Sequence, residues 1–373
     1  MDIKPKITPI YQTSVFKFDD LNELEQYFGE PGSRYLYSRN GNPNSDELAA
    51  AVNKLEGGAG AVATGSGMAA IFAAILAYCQ AGDHVLCAAD IYGGSSALLN
   101  AELSRMGIAV SYVPFEQLYD LAALVRPTTR LLLAETISNP LLRVADLRRL
   151  AEECHLQGLK LVVDNTFATP VLTRPLELGA DITLHSVTKY IAGHSDVTAG
   201  AVVAAAPEVA ARLRQIGVFY GLTLSPMESW LAVRGLKTLR IRMREHSHNA
   251  LAVAGFLARH PRVRQVNYPG LADHPQHALA AAQGQGQFGG MMSFLLADET
   301  TVVNDFMQRS QRFPFAPSLA GVDSSLSYPL GTSHRSLTPE QQQALGITVG
   351  LVRLSVGIEP LDELLADLEQ ALA

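Results

Sequence analysis

Lys189 follows Ser186 and Thr188 closely and lies twenty-five residues after Asp164. Each residue type suits one task. A lysine amine can form a Schiff base with an aldehyde and, once freed, move protons at a neighbouring carbon. Hydroxyls at Ser186 and Thr188 can hold a phosphate. Asp164 closes the apolar run Leu161-Val162-Val163, and an acid at the carboxyl end of a parallel strand lies where open α/β sheets bind ligands. There it would keep a pyridine nitrogen protonated. Taken singly, such a lysine is usually a surface residue and such an aspartate is as often a helix N-cap. Their spacing makes a stronger case.

Three further segments add to it. Gly65-Ser66-Gly67-Met68 sits between a predicted strand and a predicted helix. Backbone N–H groups at a helix N-terminus bind phosphate, and glycine lets it approach closely. Tyr92, after the second predicted strand, can stack on an aromatic ring or relay a proton. Arg353 interrupts the apolar strand Leu351–Ser355, where a guanidinium calls for an anion such as a substrate α-carboxylate or a structural ion pair. Aldehyde capture, phosphate binding and pyridinium pairing are together the demands of pyridoxal 5′-phosphate (PLP). A rival reading exists. Gly65-x-Gly67-x-x-Ala70, with Asp90 downstream, fits a dinucleotide fingerprint and would suit a nicotinamide oxidoreductase, but it gives Lys189, Ser186 and Thr188 no role. His194-Ser195-Asp196 lacks a third ligand and reads as a loop, so no metal is expected. His246 and His248 read as structural residues on a helix face.

These residues need elements to position them. From Gly60 onward, short apolar runs alternate with helical stretches: strands at Ala61–Ala63, His84–Cys87, Ala109–Val113, Leu131–Ala134, Leu159–Val163, Ile182–Leu184 and Gly200–Val203. Helices are expected at Met68–Cys79, Ala97–Met106 and Ala145–Gln157. The alternation implies βαβ units, hence an α/β fold with a mostly parallel central sheet. Residues 1–55 read as a polar arm, 56–249 as the cofactor-binding α/β domain and 250–373 as a smaller C-terminal α+β domain. Pro226–His260 reads as one long helix, with Arg234–Arg244 forming its polar face. Strands at Met291–Leu296 and Leu351–Ser355 and a helix at Pro360–Leu372 complete the second domain.

Composition bounds the rest. The 373 residues, 48% apolar, suffice for two domains. A net charge of −7 with no basic run argues against a nucleic-acid partner. The three scattered cysteines suggest a reducing compartment. With no signal-like N-terminus and no apolar run long enough for a membrane span, a cytoplasmic protein is expected.

Read together, the motifs resemble the Cys/Met-metabolism family of PLP enzymes, which includes cystathionine γ-synthases, cystathionine γ- and β-lyases, methionine γ-lyases and O-acylhomoserine sulfhydrylases. The resemblance runs from about Pro9 to the C-terminus. It rests on Tyr37-Ser38-Arg39-Asn40-Gly41-Asn42-Pro43, Ser66-Gly67-Met68-Ala69-Ala70, Tyr92-Gly93-Gly94, Ser138-Asn139-Pro140, Val163-Asp164-Asn165-Thr166-Phe167, His185-Ser186-Val187-Thr188-Lys189-Tyr190, Arg234-Gly235-Leu236-Lys237-Thr238-Leu239 and Arg353-Leu354-Ser355-Val356-Gly357. It implies the type I fold of PLP-dependent transferases. Lys189 would be the Schiff-base lysine, and Asp164 would face the pyridine nitrogen. Gly67, Met68, Ser186 and Thr188 would hold the phosphate. Tyr92 would stack on the ring and protonate the leaving group. Asn139, Ser318 and Arg353 would hold the substrate carboxylate and neighbouring groups. Tyr37 and Arg39 would reach a neighbouring subunit's phosphate, within a homotetramer built from two such dimers.

The implied reaction is γ-elimination from a homocysteine- or homoserine-derived amino acid, giving an α-keto acid and ammonia. The alternatives are γ-replacement, then β-elimination. Departures from the family pattern concern the substrate. Ala97 stands where many cystathionine-handling relatives carry arginine, and Pro317 where many carry glutamate. Gly94 replaces the cysteine of methionine γ-lyases, and Ile137 a common proline. Both Ala97 and Pro317 remove charges that could meet the distal end of cystathionine, and an oxygen-linked leaving group, as in canavanine, is open too.

Overall fold

The computed structural model describes residues 4–30, 32–335 and 337–373; the arm's first three residues and Pro31 lie outside them. The larger sheet has seven strands: β1 (Gly60–Thr64), β2 (His84–Ala88), β3 (Ala109–Val113), β4 (Thr129–Glu135), β5 (Lys160–Asp164), β6 (Ile182–Ser186) and β7 (Gly200–Ala204), in the order β1-β7-β6-β5-β4-β2-β3. Pairing is parallel from β6 through β5, β4 and β2 to β3. Only β7 runs the other way, antiparallel to both β6 and β1. Six strands therefore point their carboxyl ends at one edge.

Strand period explains the continuous apolar runs. In β2, Val85 and Cys87 enter one core, with the helix Gly67–Leu76. Leu86 and Ala88 enter another, with the helix Leu147–Leu156. Leu131 and Leu133 of β4 divide from Leu132 and Ala134 in the same way. Successive side chains point to opposite faces, so a sheet covered on both sides needs apolar residues at every position.

A four-stranded antiparallel sheet follows: β8 (Gln265–Asn267), β9 (Met291–Leu295), β10 (Ser325–Ser327) and β11 (Leu351–Ser355), ordered β10-β11-β9-β8. β8 and β10 are three residues each, too short to leave a periodic signal. The helix Leu361–Ala371 buries Leu364 and Leu368 against this sheet's core.

The expected long helix is two, Pro226–Leu236 and Leu239–Leu257. Thr238, at φ −108° and ψ 2°, leaves the helical region and its hydroxyl donates to the Gly235 carbonyl. Nor do Arg234–Arg244 form one polar face. Arg242 is buried and donates to the carbonyls of Tyr190 (2.6 Å), Ile191 (3.2 Å) and Gly235 (2.9 Å). Along the second helix, Leu239 and Met243 pack in a core with Tyr190, while Ala250, Val253, Ala254 and Leu257 pack with β9 and β11. One helix thus spans two cores.

Candidate active site

Segments after five strands converge at the common carboxyl edge. They enclose a cavity of about 580 Å³ lined by, among others, Gly67, Met68, Tyr92, Asn139, Asp164, Ser186, Thr188, Lys189 and Arg353.

The end of the cavity expected to take a phosphate is built on helix geometry. Ser66 caps the helix Gly67–Leu76, its hydroxyl accepting from the Ala69 N–H at 3.1 Å. Gly67 lies against Ser186: a Cβ there would come 2.8 Å from the Ser186 Cβ and 3.1 Å from its Oγ. Only glycine lets the helix N-terminus and the Ser186 hydroxyl share one small space, as phosphate binding requires. Thr188 lines the cavity, but its hydroxyl donates to the Ala199 carbonyl (3.1 Å) and accepts from the Ala199 N–H (2.9 Å).

At the floor, Asp164 Oδ1 accepts from the Thr166 N–H (3.0 Å) and hydroxyl (2.5 Å). Burial pushes this carboxyl up, against those two bonds and the charge of His185. A protonated pyridine nitrogen beside it would favour the ionised carboxylate, as those bonds do. Lys189 stands in the same cavity, its proton affinity lowered by burial and then by Arg353. Such an amine is closer to the neutral form needed to attack an aldehyde. Cradle, acid and amine therefore fit PLP by their own chemistry.

Arg353 is buried, its affinity for a proton lowered to about 10 by desolvation. Its Nη1 donates to Asn139 Oδ1 at 2.8 Å and its Nη2 reaches the Ser318 carbonyl at 3.5 Å. Both partners are neutral, and no carboxylate pairs with it among the described residues, so the cavity offers a buried guanidinium ready for an anion. Ser318 contributes its backbone to this arrangement; its neighbours Pro317 and Leu319 line the cavity.

Tyr92 is 41% exposed at the cavity mouth, its N–H donating to Glu135 Oε1 at 2.8 Å. Gly94 makes room for its ring, since a Cβ there would lie 2.5 Å from Tyr92 Cε1. Gly93 admits the Thr332–His334 segment; a Cβ there would lie 1.8 Å from the Ser333 carbonyl oxygen. Of the four departures, Ile137 and Pro317 line the cavity, whereas Ala97 is exposed and outside it.

Glu135 went unread in the sequence, although it ends Leu131-Leu132-Leu133-Ala134 as Asp164 ends its own run. The two acids are paired in the β4–β5 register. Burial, then the Asp164 charge, pushes Glu135 well up. Thr166, Thr198, Thr332 and Ser333 also line the cavity and carry no local signal.

Tyr37 and Arg39 are elsewhere in this chain. Arg39 sits over the Tyr37 ring at 5.7 Å and donates to the Val218 carbonyl at 3.2 Å, beside a separate small recess. Asp90 is buried and lies outside the cavity. Together with β1 at the sheet edge, beside an antiparallel neighbour, this removes the dinucleotide reading, which needs a central βαβ unit. His194 Nδ1 lies 2.7 Å from the Ala192 carbonyl, within a loop. His246 is buried, its ring against Tyr190 and its Nδ1 2.8 Å from the Val356 carbonyl.

Residues 2–373 match the family model described as Cys/Met metabolism PLP-dependent enzyme. The chain is 43% identical to a cystathionine beta-lyase of Lactococcus lactis subsp. cremoris, over 98% of this chain and 93% of that protein. It is 41% identical to an L-methionine gamma-lyase of Pseudomonas putida, covering 98% and 92%. A crystal structure of cystathionine gamma synthase from Xanthomonas oryzae pv. oryzae in complex with cystathionine superposes with a TM-score of 0.92, at 44% identity and the same coverage.

Proposed function

Since the chain belongs to the Cys/Met metabolism PLP-dependent enzyme family, we propose that it eliminates the γ-substituent of a homocysteine- or homoserine-derived amino acid. The products are an α-keto acid and ammonia. When bound, PLP supplies an aldehyde for amines and a protonated ring that draws electrons from the substrate α-carbon. The chain's residues do the rest. Gly67, Met68 and Ser186 hold the phosphate end, joined by Thr188 once its hydroxyl turns from the Ala199 carbonyl, and Asp164 keeps the pyridine nitrogen protonated. Arg353, oriented by Asn139 and the Ser318 carbonyl, binds the substrate carboxylate. Lys189 takes the α-proton as a general base. Tyr92, at the mouth, gives a proton to the departing group and shields the ring from water.

The observation that carries the substrate choice is the uncharged part of the cavity lining. Ile137, Pro317, Leu319, Thr332 and Ser333 carry no charge. Besides Lys189 and Arg353, no lysine or arginine among the described residues lines the cavity, so the carboxylate of a second zwitterionic end, as in cystathionine, would be desolvated there without a cation of its own. γ-Replacement is the second reading, favoured by the similarity to a cystathionine gamma synthase structure; β-elimination is third. Tyr37 and Arg39 are assigned to the partner's site in a homotetramer, and the three-part division and cytoplasmic location stand as part of this proposal. No helix among the described residues is long and apolar enough to cross a membrane.

The test is product analysis of the PLP-loaded enzyme with methionine, cystathionine, O-acylhomoserine and canavanine, each with and without an added thiol. Keto acid and ammonia from a γ-substituted substrate without thiol are expected. A thioether product with no keto acid would replace elimination by replacement, and pyruvate from cystathionine would move the reading to β-elimination.

A further inference from the structure

Glu56, His185 and Asn165 are each 0% exposed and belong to none of the roles above. Glu56 Oε1 accepts from Asn165 Nδ2 at 3.0 Å and pairs with His185 Nε2 at 2.7 Å. Asn165 Nδ2 also donates to the Thr173 carbonyl at 2.8 Å, and its Oδ1 accepts from the Thr136 hydroxyl at 2.8 Å. Asn165 directly follows Asp164, and His185 directly precedes Ser186. On the cavity side, Thr166 joins the same two segments: its hydroxyl binds Asp164 Oδ1, and its Oγ1 accepts the Ser186 N–H at 2.8 Å. Glu56 thus bridges the carboxyl ends of β5 and β6 from behind, as Thr166 does from the front.

We propose that Glu56 and His185 are positioning residues, a buried clamp that fixes Asp164 and Ser186 in place. The proposal rests on the reading of Asp164 as the partner of the pyridine nitrogen. A buried carboxylate needs hydrogen bonds or a counter-charge, and Glu56 faces an imidazole and an amide. Its Oε2 and His185 Nδ1 have no hydrogen-bond partner, so the shared bond is the pair's main restraint. The charged groups around Asp164 are His185 on β6, Glu135 on β4, and Lys189 and Arg353 lining the same cavity. Those facing His185 are Glu56 and Asp164. His185 favours the ionised form of Asp164, opposing burial. The helix Pro43–Glu56 carries this clamp at its last turn, with Leu48 and Val52 packed in the core.

The experiment compares full-length Glu56→Gln, His185→Gln, Val52→Ala and Asp164→Asn. Three quantities are read: the pH midpoint of the bound cofactor's absorption, the PLP dissociation constant from the apo-protein, and apo-protein melting. Glu56→Gln and His185→Gln are expected to move the midpoint in the same direction as Asp164→Asn and to weaken PLP binding about tenfold. Val52→Ala, an apolar loss on the same helix, should lower melting without moving the midpoint. If both clamp variants melt lower but keep the wild-type midpoint and affinity, the clamp is only structural and the proposal falls. If Asp164→Asn itself leaves the midpoint unmoved, the reading of Asp164 fails instead.

Discussion

Arg353 shows how much one buried side chain can constrain a site. Among the described residues its guanidinium donates only to the Asn139 amide oxygen and the Ser318 carbonyl, which leaves it open to the substrate carboxylate proposed above. Charge-assisted hydrogen bonds are worth about 1.5–3 kcal/mol. Arg353→Ala should therefore lower kcat/KM roughly 10- to 150-fold per lost bond, with KM taking the larger share. The amine of Lys189 responds as well, because Arg353 is the second cause of its lowered proton affinity. Steady-state kinetics of the variant measure both effects, and an unchanged KM would assign the carboxylate to another group.

Between elements, His246 ties the helix Leu239–Leu257 to the segment after β11 through the Val356 carbonyl. Desolvation lowers its proton affinity from the ordinary 6.5 to about 4, with Arg242 adding to the effect and the Val356 bond opposing it. His334 is lowered to about 4 as well, first by burial and then by Arg353. The sign follows from proton linkage. Between 6.5 and 4 the unfolded chain binds protons that the folded chain refuses, so stability present above 6.5 is lost as pH falls through that window. Melting temperature should drop from pH 7 to pH 5, and His246→Gln should show a shallower drop. Equal slopes for variant and wild type would place the acid sensitivity elsewhere.

For the whole molecule, the arm residues Tyr37 and Arg39 lie outside their own chain's cavity. If they serve a neighbour, two inactive variants will complement one another. Arg39→Ala mixed with Lys189→Ala, after reversible dissociation, should form hybrid dimers in which one site is intact, restoring roughly a quarter of wild-type activity. Mixing without recovery would confine each site to one chain.

The sequence by itself determined the chemistry and the order of elements. Lys189, Ser186 and Asp164 were legible because the strands before them are mostly apolar, Leu161-Val162-Val163 without a break, so a polar residue closing such a run marks a ligand-facing edge. Glu135 carried the same signal. Strand identities and the α/β alternation came from periodicity, which is local. The tertiary structure alone decided what meets across long separations. It reversed β7, whose direction no residue within it specifies. It also broke the expected long helix at Thr238 and buried Arg242 beneath the Tyr190 carbonyl. Glu56 met His185 across 129 residues, and Arg353 met Asn139 across 214. A pattern of polar and apolar residues reports which face is buried, but the partner that satisfies a buried polar group is chosen only when the faces pack.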